Sequence, residues 1–131
     1  MHMKPPDNAA LVKGEIADYW FSGEGILYSY SKNPKRTIKN ISENIALVKQ
    51  ITGNKKVPLL IYLSNSPMPD KATREFTAEQ LPNVYTAMAM VSKSGLSKLI
   101  MNILFGLKPA PIPMRSFSDD QKAREWLLQY V

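Results

Sequence analysis

TIKNISENIALVKQITGNKKVPLLIYLS, residues 37–64, joins a helical pattern directly to the pattern of a buried strand. In its first part Ile38, Ile41, Ile45, Val48 and Ile51 recur three or four apart, which places them on one stripe of a helix. Thr37 can accept from the free amides at the helix start, and Gly53 can take the left-handed conformation that ends it. The second part, VPLLIYLS at 57–64, is a nearly continuous apolar run only a few residues long. A strand apolar on both faces must be covered on both, so this run is expected at the centre of a sheet.

Working outward, residues 11–21 are rich in apolar and aromatic groups, SGEG at 22–25 supplies a turn, and ILYSYS at 26–31 resumes in extended style, which predicts a β-hairpin. Its second arm alternates Ile26, Tyr28 and Tyr30 with Leu27, Ser29 and Ser31, an aromatic face against a mostly polar one. That arm is expected to be covered on one side. Downstream, Asp70 can cap a helix that Pro82 and Asn83 should end, and AMAMVS at 87–92 reads as a second apolar strand. Leu96, Leu99, Ile100, Ile103, Leu104 and Leu107 fall on one helical face, and IPMRSF at 112–117 reads as a last strand. Pro111 and Pro113 place that strand at an edge. Ser118 is a natural cap for the closing helix, Gln121 stands at the capping-box position, and Ala123, Trp126, Leu127 and Tyr130 share a face. The order predicts one α/β domain over residues 1–131, with a mixed, mostly parallel five-stranded sheet, an N-terminal hairpin and about four helices. Residues 1–8 are expected to be flexible.

The 131 residues, 44% hydrophobic and 21% charged, suit one globular domain. No signal-like start and no run of about 18 apolar residues is present, so the expected location is the cytoplasm. The absence of cysteine excludes disulfides, thiolate zinc sites and cysteine nucleophiles. The net charge of +6 gathers between residues 32 and 56, where Lys32, Lys35, Arg36, Lys39, Lys49, Lys55 and Lys56 face one acid, Glu43. Such a segment suits phosphate, an acidic partner or an anionic surface, but a solvated helix face with its flanking turns is the simpler account.

Catalytic groups are scarce. His2 is the single histidine and stands in a terminus expected to fray, which speaks against a histidine triad or metal cluster, and Asp70, Glu75 and Glu79 suit the positive start of a helix. There is no Gly-x-Gly-x-x-Gly run and no GKS or GKT, so no cofactor and no enzymatic activity are expected. Core-like aromatic positions and the lack of a recognition motif speak against nucleic acid. In the helical segment 94–107, Met101 and Phe105 lie beside the main stripe with Lys93, Lys98 and Lys108 around them. They could form an association patch, a membrane contact or the wall of a lipid pocket.

This order of elements, with RSFSDDQKAREWL at 115–127, resembles bacterial proteins of STAS-like or SpoIIAA-like fold, including the SEC14-type domains. The residues that carry the resemblance are Phe117, Asp119, Ala123, Trp126 and Leu127, with Pro113, Asn102 and Arg74. It implies a mixed sheet with helices mainly on one side. It also implies two styles of work: a regulatory partner switched by serine phosphorylation at a helix start, or a lipid carrier. An interaction module of this kind is expected to form a homodimer. For the switch the matching positions are Ser64 and Ser66, although Asn65 and Pro67 depart from the Asp-Ser-Ser/Thr-Gly type of pattern. For a lipid or small-anion site, or a partner surface, the candidates are Arg74, Lys93, Lys98, Met101, Asn102 and Phe105.

Overall fold

Helix α1 runs from Ile38 to Thr52 in the computed structural model, which describes residues 10–63, 67–92, 99–100 and 110–131. Thr37 Oγ1 accepts from Asn40 N–H at 3.1 Å and Asn40 Oδ1 accepts from Thr37 N–H at 2.8 Å, a reciprocal cap. Gly53 ends the helix at φ 65°, as its missing Cβ permits.

Around α1 lie β1 (Val12–Lys13), β2 (Ala17–Phe21), β3 (Leu27–Ser31), β4 (Val57–Tyr62), α2 (Lys71–Val84), β5 (Tyr85–Val91), β6 (Met114–Phe117) and α3 (Asp120–Leu127). A short 3-10 turn, Leu128–Tyr130, follows α3. The strands form one sheet in the order β1-β2-β3-β4-β5-β6. β1, β2 and β3 pair antiparallel, whereas β3 through β6 pair parallel. β4 is central and β6 is an edge, as the apolar run and the two prolines predict.

Three local expectations need correction. The sheet has six strands rather than five, because the chain turns at Gly14, whose N–H bonds Ala17 O at 2.9 Å, and splits the first arm into β1 and β2. Pro82 lies inside α2 instead of ending it. Tyr85 N–H still reaches Leu81 O, and Leu81 and Val84 are buried against the sheet, so the turn survives the one donor that proline lacks. At α3 the cap is Asp119, which accepts from Gln121 N–H at 2.8 Å, in place of Ser118.

Two cores sit on opposite faces of the sheet. Ala17, Tyr19, Leu27, Leu59, Met88 and Met90 pack with Val48 of α1 and Leu81 and Val84 of α2. On the other face Trp20, Ile26, Leu60, Tyr62, Ala87, Ala89 and Val91 pack with Ala123 and Leu127 of α3. Trp20 is therefore core, stacked on Tyr28 at 5.4 Å and on Tyr62 at 6.1 Å between ring centroids. β3 inverts its simplest reading: the serines Ser29 and Ser31 are buried under the helices, while Tyr30 on the aromatic face is 41% exposed.

Candidate functional site

A cleft of about 220 Å³ opens between the sheet and the helices α1 and α2. Its existence follows from β3. Serines at 29 and 31 stand where a fully packed sheet would carry larger apolar side chains, and they leave space beneath the helices. The walls are apolar: Ile41 and Ile45 from α1, Leu59 and Ile61 from β4, Leu81 from α2, and Met88 and Met90 from β5.

Polar groups stand at particular points on this surface. Arg74 lies in the first turns of α2, beside Pro67, Met68 and Pro69, of which Pro67 and Met68 are exposed, so this end is the mouth. Arg74 Nη1 donates to Pro69 O at 2.7 Å, and among the described residues its other N–H groups have no partner. Arg36 also lines the cleft, but its own chain occupies it. Nη1 donates to Lys32 O at 2.6 Å and Pro34 O at 2.8 Å, and Nη2 to Ile16 O at 3.0 Å and Ser31 Oγ at 2.7 Å. Burial lowers the Arg36 pKa, yet a guanidinium remains charged at any physiological pH. Arg36 therefore ties the segment that leads into α1 to the hairpin, and Lys32, paired with Asp18 at 2.8 Å, braces the hairpin too. This part of the basic segment is structural.

Elsewhere in the cleft the buried residues Tyr19, Ser29 and Tyr85 gather with half-buried Asn44 of α1. Asn44 Nδ2 donates to Tyr19 Oη at 2.6 Å, and the Ser29 and Tyr85 hydroxyls lie beside that of Tyr19. Burial pushes the Tyr19 and Tyr85 pKa values up, so both phenols stay protonated and this end is neutral. The cleft thus has a cationic mouth, an apolar body and a neutral polar interior, an arrangement suited to holding an amphipathic small molecule.

Of the residues expected to form a site, Arg74 is placed at the cleft. Ser64, Ser66, Lys93, Lys98, Met101, Asn102 and Phe105 lie outside the described residues. The inner group of Tyr19, Ser29, Asn44 and Tyr85 was missed by sequence reasoning. Its one trace was the pair of serines alternating with aromatics in β3, a pattern that also fits a solvated face. On the opposite face a second hollow is lined by Tyr28, Tyr62, Asp120, Gln121 and Arg124, but its charged groups are already engaged: Tyr62 Oη donates to Asp120 Oδ2 at 3.0 Å, and Arg124 pairs with Glu24. Among the described residues no group of three or more His, Asp or Glu could hold a metal ion, and no helix is long and apolar enough to cross a membrane.

A family model described as "Domain of unknown function (DUF7793)" matches residues 19–131. Among solved structures, the chain is similar to an uncharacterized protein of the DUF3478 family with a SpoIIAA-like fold from Shewanella loihica PV-4. The TM-score is 0.57 at 12% identity, over 96% of this chain and 99% of that one. No curated protein matches. The fold is SpoIIAA-like, in keeping with the resemblance carried by the terminal strand and helix.

Proposed function

The chain belongs to the DUF7793 family, domains of unknown function, and we propose that it is a non-enzymatic domain that binds a small apolar anion in the cleft under α1 and α2. The observation that supports this reading is a single one: an apolar cleft of about 220 Å³ with the guanidinium of Arg74 at its mouth and four of its five donors unspent among the described residues. A guanidinium is the group best shaped to take a carboxylate or phosphate, and the walls suit a hydrocarbon body. The volume is below the 300–1,000 Å³ usual for drug-sized ligands, so the occupant is small. With about 30 Å³ for each water-sized group, the space holds roughly seven of them. A chain of about eight carbons fits, with its anionic head outside at Arg74. A module that binds such an anion can serve as a carrier or as the sensing part of a regulatory partner.

Isothermal titration calorimetry with sodium octanoate, octyl phosphate and octylamine tests the reading. Both anions should bind and the amine should not, and Arg74→Gln should weaken the anions about tenfold, the loss of one charge-assisted hydrogen bond. Ala78→Phe, placed to fill the cleft from α2, should abolish binding with the circular dichroism spectrum unchanged. Absence of anion binding, or equal binding of the amine, would overturn the proposal.

A further inference from the structure

Resting on the binding reading above, we infer that the molecule held in the cleft carries a hydroxyl group on the end that enters it. The cleft ends on a polar group whose hydrogen bonds do not close. Asn44 Nδ2 is spent on Tyr19 Oη at 2.6 Å, but Asn44 Oδ1 is buried with no partner. Ser29, 1% exposed, has its Oγ beside the Tyr19 hydroxyl without a hydrogen bond of normal geometry. Both residues line the cleft. Buried polar atoms in folded proteins are nearly always paired, and two residues of the cleft wall, both beside Tyr19, each hold one that has no partner among the described residues, which points to a partner supplied by the ligand.

The chemistry of that partner is narrowly defined. Asn44 Oδ1 needs a donor. If the amide is turned over, Tyr19 Oη–H donates to the oxygen and the nitrogen becomes the unpaired atom, which needs an acceptor. A hydroxyl satisfies either arrangement, and it can also accept from Ser29. A methyl group satisfies neither, and a carboxylate would enter a site that holds no free cation among the described residues. The Arg36 guanidinium, the nearest candidate, is committed to three carbonyls and Ser31. The anionic head therefore belongs at Arg74 and the hydroxyl at Asn44. Arg74 stands in the first turns of α2 and Tyr85 directly follows its last, about 16 Å along the helix at 1.5 Å per residue. Tyr85 and Asn44 both contact Tyr19, so the polar group lies toward the other end of α2 from Arg74, and the ligand class is a short ω-hydroxy acid or its phosphate counterpart.

Calorimetric titration of the full chain with octanoate and with 8-hydroxyoctanoate decides the matter. Partition out of water alone favours octanoate, because burying an unpaired hydroxyl is unfavourable. The expected result is the reverse: 8-hydroxyoctanoate binds about tenfold more tightly. Asn44→Leu should erase that preference while octanoate still binds, and if this variant does not fold by circular dichroism, Ser29→Ala supplies the same comparison and should reduce the preference. Equal or tighter binding of octanoate overturns the inference and leaves the binding reading in place. So does a preference that survives unchanged in the folded variant. Failure of both acids to bind overturns the binding reading itself.

Discussion

Gly25 closes the turn between β2 and β3 at φ 91°, and a Cβ built there would stand 2.8 Å from Val131 Cγ1. The last residue of the chain therefore packs on a position that an L side chain avoids twice over, by conformation and by contact. Gly25→Ala should lose about 1–2 kcal/mol in urea unfolding, the usual cost of a left-handed backbone for a residue with a Cβ. Two carboxylates give a pH dependence with a definite sign. The hydrogen bond to Thr73 holds the Asp70 carboxyl below its ordinary 3.8, and the hydrogen bond from Arg124 holds that of Glu24 below its ordinary 4.5. A group whose pKa is depressed by folding contributes stability that is complete above the unfolded value and lost as the pH falls through the folded one. The melting temperature should accordingly fall from about pH 4.5 downward, and the double variant Asp70→Asn, Glu24→Gln should fall less steeply over the same interval. Asparagine retains the capping oxygen, so the comparison isolates the titration.

Among the elements, α3 packs on the sheet through the face that its amphipathic pattern predicts. Leu127 is wholly buried against β4 and β5, whereas its neighbour Leu128 is 40% exposed. Leu127→Ala should cost about 2–5 kcal/mol and Leu128→Ala no more than about 0.5 kcal/mol, as measured by the denaturation midpoint. Element existence was legible because each depends on residues a few positions apart: the isoleucine stripe of α1, the Thr37 and Asp70 caps, and the apolar run of β4. The ends were less legible. Ser118, Asp119 and Asp120 can all cap, and the choice falls to the residue presented when β6 leaves its pairing with β5. Likewise Pro82 signals an end to α2, but burial of Leu81 and Val84 on the sheet outweighs the missing donor.

At the scale of the whole molecule, ligand binding and stability are linked. Octanoate at a hundred times its Kd should stabilise the folded state by about 2.7 kcal/mol and raise the melting temperature by roughly 10 °C, and the rise should vanish in Ala78→Phe. The candidate site was legible at Arg74 alone, which entered through the family resemblance and not through a local pattern. Sequence pattern suffices for the order of strands and helices apart from the split of the first arm, for the central place of β4 and for the edge place of β6, and the lack of cysteine excludes thiol chemistry. These follow from periodicity, proline placement and composition, all of which act over short stretches of chain. The tertiary structure alone decided which face of β3 is buried and therefore that a cleft exists. Tyr19 and Asn44, 25 residues apart, meet only because β2 and α1 lie on one side of the same sheet, with Tyr85 brought beside them by the start of β5. A cavity is the space that packed elements leave between them, and no local pattern records it.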